Sequence, residues 1–239
     1  MQDDVHAALY TEGNYRQSNE DWHDEDAPVK AHEICAFLKK NEISFRSCAD
    51  IGCGTGRVVK IMASYFDADF FGYEISDIAL AMAEQKPKNV NFIVGDFFDV
   101  TELPSYDLIM LNDVLEHVPD FFSFLNKVRR YTRYILLRVP IEINVLHTLT
   151  NRQAYNRRRL GHLHYFSKDT ALSTVEECDL AIVDWQYVFD SINMPHTSRS
   201  LLKIALKAPR IVSRRLFPDL GVRLFGGAGI LILARNRSA

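Results

Sequence analysis

The sequence predicts an α/β protein in which helices cover both faces of a parallel sheet. Five short apolar segments alternate, for the most part, with segments of helical periodicity at the spacing of βαβ units. The first apolar segment ends in an acid and three alternate glycines, a loop that can turn sharply from strand to helix and leave no Cβ between backbone and ligand. Acidic or amide residues then stand at the ends of the next three strands. Ligands of open parallel sheets bind outside those carboxyl ends.

Residues 1–28 are polar, acidic and dotted with aromatics, and read as a cap or arm. Pro28 suits the first turn of a helix, and Ile34, Phe37 and Leu38 recur at helical spacing across 29–41. The first strand is expected at 48–52, followed by a helix at 58–66 with Val58, Val59, Ile61, Met62 and Phe66. A second strand at 69–74 leads into a helix over 77–85, for which Ser76 is the natural N-cap. Strands are then expected at 90–94, closed by Gly95 and Asp96, and at 106–111. A helix starts near Pro119 and carries Phe121, Phe122, Leu125 and Val128, and a fifth strand at 134–139 stops at Pro140. The second half is less regular. It offers a helix at 167–178, strands at 181–188 and 229–234, and between these strands a long insertion over about 190–224. No internal repeat or low-complexity segment interrupts the pattern.

The loop itself, ADIGCGTGR, places Gly52, Gly54 and Gly56 after Asp50. A dinucleotide loop spaces its glycines G-x-G-x-x-G; here Arg57 stands where its third glycine belongs. Glu74, at the end of the second strand in FFGYEIS, can accept hydrogen bonds from both hydroxyls of a ribose. Asp96 beside Phe97 can hold an adenine by its amino group and its face, although an acid there can also simply form a turn or cap. The fourth strand runs out into Asn112-Asp113 and then Glu116-His117.

Taken together, ADIGCGTGR, FFGYEIS, VGDFFDV and YDLIMLNDVLEHVPD resemble the successive motifs of the class I S-adenosylmethionine-dependent methyltransferases, over about residues 45–140. LNDVLEHVPD resembles the small-molecule branch, and so does GHLHYFSKDTALSTVEECDL at 161–180. The resemblance implies a Rossmann-like, seven-stranded sheet of order 3-2-1-4-5-7-6 with the last strand antiparallel. It implies S-adenosyl-L-methionine as cofactor and S-adenosyl-L-homocysteine as product. Asp50, Gly52, Gly54 and Gly56 would contact the methionine part, Glu74 the ribose, Asp96 and Phe97 the adenine, and Asn112 would line the floor beneath the sulfonium. One domain is expected over 1–239, with a cap at 1–45, a cofactor core at 46–140 and an acceptor side at 141–239.

The implied chemistry is direct in-line displacement onto a small molecule, driven mainly by proximity and orientation. A base is needed only where the acceptor must lose a proton. His117 is the candidate by position, and His162 and His164 share a face if their segment is extended. No third ligand stands at a suitable spacing beside them, so no metal is expected. The alternative is a non-catalytic cofactor-binding sensor or subunit; a nicotinamide-dependent dehydrogenase is disfavoured by Arg57 and Asp96.

Composition narrows the partners. The 239 residues carry a net charge of −3, which implies no general attraction to nucleic acid, and no Asn-Pro-Pro-Tyr-like motif follows the fourth strand. Cys35, Cys48, Cys53 and Cys178 form no C-x-x-C pair and read as reduced thiols of a cytoplasmic protein. The acidic start lacks the apolar core of a signal peptide, and no apolar run reaches the roughly 20 residues of a membrane span. One segment stands apart. Over 198–217, Arg199, Lys203 and Lys207 stripe an apolar helix pattern broken at Pro209, and Arg210, Arg214 and Arg215 extend the charge. Such a segment can lie on an anionic membrane or dock an anionic or lipid-linked acceptor. Tyr10, Tyr15 and Trp22, with Lys30 and His32 after them, either pack on the core or, as the resemblance implies, belong to an arm that closes the cofactor site.

Overall fold

The computed structural model describes residues 24–82, 87–100, 103–189, 209–213 and 215–238. Tyr10, Tyr15, Trp22, Arg199, Lys203, Lys207 and Arg214 therefore lie outside the described residues, as does the end of the helix expected at 77–85.

Seven strands form one sheet: β1 (Ser47–Ile51), β2 (Asp69–Glu74), β3 (Val90–Val94), β4 (Tyr106–Asn112), β5 (Thr132–Pro140), β6 (Leu180–Val188) and β7 (Gly229–Asn236). Their order is β3-β2-β1-β4-β5-β7-β6, and β7 runs antiparallel to both of its neighbours. This is the order that the resemblance implied. The chain leaves β1 toward β2 and β3, then returns to β4 on the other side of β1. The carboxyl ends of β1 and β4 thus flank the switch point where ligands of this architecture bind.

The two faces of the sheet are both buried because successive side chains of a strand point opposite ways. Leu108 and Met110 of β4 join Cys48, Phe70, Leu136, Leu231 and Leu233 in one core. The helices α1 (Ala27–Lys40) and α2 (Arg57–Met62) cover it with Ile34, Phe37, Leu38, Val59 and Met62. Ile109 and Leu111 face the other way, with Ile51, Tyr73, Ile135 and Leu137. That core is covered by Leu125 and Val128 of α4 (Phe121–Val128) and by Ala171 and Val175 of α7 (Lys168–Glu177). Between them in sequence come α3 (Asp77–Ala81), which has Ser76 as its N-cap, and the short helices α5 (Val145–Leu149) and α6 (Arg152–Leu160). A last helix, α8 (Pro218–Phe225), precedes β7.

Some bounds differ from the sequence expectation, each for a local reason. The helix expected to reach residue 66 ends at Met62, where Ser64 donates its hydroxyl to the Ile61 carbonyl at 2.7 Å and competes with the helical pattern. The last strand extends to Asn236, which pairs with Leu180 and donates its side-chain amide to the Arg129 carbonyl at 2.7 Å. Helix α6 has no apolar stripe to betray it. Its sequence RQAYNRRRL buries only Asn156, and it stops at Gly161 in the left-handed conformation. Within the expected insertion, residues 209–213 and α8 are helical. Arg210, read as part of the basic stripe, instead donates to the Phe225 carbonyl at 2.6 Å and caps the end of α8.

Candidate functional site

A cavity of about 940 Å³ opens over the carboxyl ends of β1, β2, β3 and β4. Its floor at one end is the glycine loop. Gly52, Gly54 and Gly56 all have positive φ, the left-handed region that side chains rarely adopt. A Cβ on Gly56 would stand 2.3 Å from the Phe92 ring, so that glycine serves close packing. A Cβ on Gly54 would meet nothing within 4 Å, so that glycine keeps the cavity floor open. Glu74 clamps the loop: one carboxylate oxygen accepts the Gly54 N–H at 2.8 Å and the other the Ser76 N–H at 3.0 Å. Burial raises the Glu74 carboxyl above its ordinary range, against the pull of those N–H groups.

Asp50 is 2% exposed, and its Oδ1 is buried without a hydrogen-bond partner. Burial pushes its carboxyl up to about 8, and the neighbouring Glu74 charge adds to that. Asn112 Oδ1 is likewise buried and without a partner. Asp96 caps the turn at Phe97–Asp99 by accepting the Phe98 N–H at 2.8 Å, so the capping role and a place on the cavity wall coexist. The Phe97 ring is 2% exposed and packs edge-on against Tyr73 at 4.9 Å. Phe98, which also lines the cavity, is the more accessible ring.

The other end of the cavity is assembled from side chains. Asp113, at positive φ just past β4, accepts from Arg138 of β5 at 2.5 Å and from Lys30 of α1 at 2.9 Å. Burial opposes ionisation there, yet the two cations hold its carboxyl well below the usual range. Leu163 and His164 donate their backbone N–H groups to the Glu116 carbonyl, at 2.7 and 3.1 Å. This clasp carries His162 to His117, and the two rings meet edge-on at 4.9 Å. His162 Nδ1 lies 3.0 Å from Glu142 Oε2, and His117 Nδ1 lies 3.3 Å from the Gly161 carbonyl. Both rings line the cavity. His164 does not share that wall, contrary to the reading of an extended pair. Its Nε2 lies 3.1 Å from the Pro119 carbonyl, and its ring packs on Phe121. Extended geometry would place His162 and His164 on one face, but the Glu116 clasp bends the segment there. The expected lack of a third ligand beside the histidines is also corrected, because Glu116 offers one within 4.8 Å of theirs.

Residues 46–187 match the family model described as a methyltransferase domain. The chain belongs to that family. Two curated relatives are O-methyltransferases by name. Chloroplastic tocopherol O-methyltransferase of Arabidopsis thaliana is 26% identical over 139 residues, covering 54% of this chain and 40% of that protein. Malonyl-[acyl-carrier protein] O-methyltransferase of Bacillus cereus is 27% identical over 117 residues, covering 47% and 41%. The chain thus matches these relatives over about 40% of their own length. Among solved structures, magnesium protoporphyrin IX methyltransferase from Synechocystis PCC 6803 with bound S-adenosyl-L-homocysteine superposes with a TM-score of 0.62. That pair is 14% identical and covers 99% of this chain and 100% of the other, a likeness of fold.

Within this methyltransferase domain, Asp24, Asp113 and Arg138 line the cavity and Glu142 stands behind His162, and none of these is a candidate on sequence alone. Asp113 directly follows Asn112, which pairs with Arg138 of β5, so an acid just past one strand and a base on its neighbour are the available signal. Glu142 lies two residues past β5, just beyond the strand end. Asp24 gave no signal. It accepts the Thr55 hydroxyl at 2.6 Å and pairs with Arg57, fastening the start of the described chain to the glycine loop. Lys30 lines the cavity, whereas His32 lies outside it, 2.9 Å from the Tyr65 hydroxyl.

Proposed function

We propose that this chain transfers a methyl group from S-adenosyl-L-methionine to a small-molecule acceptor by direct in-line displacement. The observation that carries the reading is one continuous cavity with the glycine loop and Glu74 at one end and the His117–His162 pair at the other. The donors fit the cofactor. Asp50 and Asn112 each present a buried, unpartnered oxygen, which suits a ligand that brings positive charge and N–H donors. Gly54 leaves room for a methionine tail, Glu74 retains lone pairs for ribose hydroxyls, and Asp96 and Phe97 take the adenine end. When bound, the cofactor supplies a methyl group already activated on a sulfonium. The chain's own part is to hold the acceptor in line, exclude water and relieve the acceptor of a proton.

The acceptor proton is assigned to the corner formed by His117 and His162, since these rings line the cavity beyond Asn112. His164 is left with a structural part. An acceptor that offers a hydroxyl suits this corner, and both curated relatives are named O-methyltransferases. Arg215 beside the exposed Leu216 and Phe217, each 64% accessible, supports peripheral contact of the 198–217 segment with an anionic surface or a lipid-linked acceptor. If vesicles containing anionic lipid recover no more protein than neutral vesicles, that contact is excluded. Among the described residues, no helix is long and apolar enough to cross a membrane. The four cysteines, all free and buried, fit the reducing cytoplasm, and a single methyltransferase domain fits the one sheet.

Calorimetric titration with S-adenosyl-L-homocysteine tests the cofactor site without knowledge of the acceptor. Micromolar binding is expected, weakened about ten- to a hundredfold by Glu74→Ala and by Asp50→Ala. A folded wild type that does not bind the product ends the methyltransferase reading.

A further inference from the structure

Glu116 is a buried group that methyl transfer by itself leaves unexplained. It is 1% exposed, and neither of its carboxylate oxygens has a hydrogen-bond partner. An isolated carboxylate in such a place needs a proton or a cation beside it. Arg138 lends it some positive field, but that guanidinium hydrogen-bonds both oxygens of Asp113, and Lys30 is held there too.

Around Glu116 stand two imidazoles. One ligand atom from each of Glu116, His117 and His162 lies within 4.8 Å of the others. The histidines are braced from behind. Glu142 receives the Nδ1 side of His162, and Asn156 donates its amide to the other oxygen of that carboxylate. The Gly161 carbonyl receives the Nδ1 side of His117. In the neutral rings this places the proton on Nδ1 and the lone pair on Nε2. A carboxylate or carbonyl behind Nδ1 is the outer shell that orients metal-binding histidines. The brace comes from separate parts of the chain: Glu142 after β5, Asn156 on α6 and Gly161 at its end.

We infer that Glu116, His117 and His162 bind a divalent transition-metal cation, zinc or one of similar preference, at the acceptor end of the cavity. Two imidazoles and one carboxylate are a donor set for such cations, and in catalytic sites three protein ligands leave a position open. On the methyl-transfer reading above, that open position takes the acceptor's hydroxyl oxygen. The two histidines then act as ligands in place of the base: the O–H bond breaks, the proton leaves to water, and the oxygen forms the new bond to the methyl carbon as the carbon–sulfur bond breaks to a neutral thioether.

The test uses the chain free of any affinity tag and stripped by a chelator. Calorimetry with Zn²⁺, Mn²⁺ and Mg²⁺ is run on the wild type, Glu116→Gln and His162→Ala. The expected result is one Zn²⁺ per chain, weakened at least about tenfold in either variant, with Mg²⁺ bound far less well. Each variant is also titrated with S-adenosyl-L-homocysteine, which reports that the glycine-loop site is folded. Zinc bound equally by wild type and both folded variants overturns the inference, as does a product-binding wild type that takes no zinc. Where a variant loses product binding, cobalt-loaded wild type decides: visible d–d bands of a low-coordinate site support the inference, and their absence refutes it. Zinc binding by a wild type with no affinity for the product would retire the methyl-transfer reading and leave the cation site standing.

Discussion

The glycine-loop end of the cavity is built largely from backbone, whereas the histidine end is built from side chains delivered by separate segments. At the first end, Glu74 holds two backbone N–H groups, and the Tyr73 carbonyl holds the N–H groups of Gly52 and Cys53 at 2.8 and 3.0 Å. Conformation there depends on what each residue allows at its own position. At the second end, Glu116, Glu142, Asn156 and His162 are brought together over separations of up to 46 positions by clasps such as Leu163 to Glu116. The difference shows where tolerance lies. The first end fails when the backbone is altered, the second when one member of a polar group is left alone.

The largest expected effect breaks the backbone end. Gly56→Val combines a positive φ with a Cβ 2.3 Å from the Phe92 ring, so it should cost on the order of 4–5 kcal/mol and remove most folded protein. Gly54→Ala has open space around its Cβ. Thermal unfolding should register only the left-handed strain, about 1–2 kcal/mol, while affinity for S-adenosyl-L-homocysteine should fall at least about tenfold. An unchanged product affinity in Gly54→Ala would mean that the open space at Gly54 is not the ligand's.

Next comes the polar end. Arg138→Met leaves the half-buried Asp113 without its main cation, and urea unfolding should show a loss of about 2–3 kcal/mol. A loss below about 1 kcal/mol would show that Lys30 alone suffices there.

A subtler comparison concerns protons. Asp50, pushed up to about 8 by burial and then by Glu74, favours the protonated form at pH 7. A cationic ligand beside it favours the ionised form, so binding of S-adenosyl-L-methionine should release up to about one proton. Calorimetry in buffers of different ionisation heat reads this number, which should fall for the neutral thioether product and vanish in Asp50→Asn. The same raised carboxyl means that the folded chain binds the extra proton between the ordinary carboxylate range and pH 8. Its contribution to stability therefore declines as pH rises through that window, and Asp50→Asn should flatten the slope. The smallest effect belongs to His164→Gln. Held at the Pro119 carbonyl outside the cavity, it should leave product affinity unchanged and stability within about 0.5 kcal/mol.

The boundary between what was legible and what was not follows the same division. Strand ends carried Asp50, Glu74, Asp96 and Asn112 because a parallel sheet brings those ends to one rim whatever the loops do. The sequence places the Phe97 ring at the adenine, yet only packing shows that this ring makes a T-shaped contact with Tyr73 and that Phe98 is the more open ring. Arg210 was read as surface charge, and only the docking of α8 shows that it caps a helix end.

Residue order by itself determined the alternating strands and helices, the left-handed glycine loop and the rim of acids, because each depends on local periodicity, on allowed φ or on the invariant direction of a parallel sheet. The tertiary structure decided which histidine meets which, that Glu142 braces His162, and that Glu116 stands beside both without a partner. Those meetings rest on long-range backbone clasps and on helices without an apolar stripe, and neither leaves a period that sequence can display.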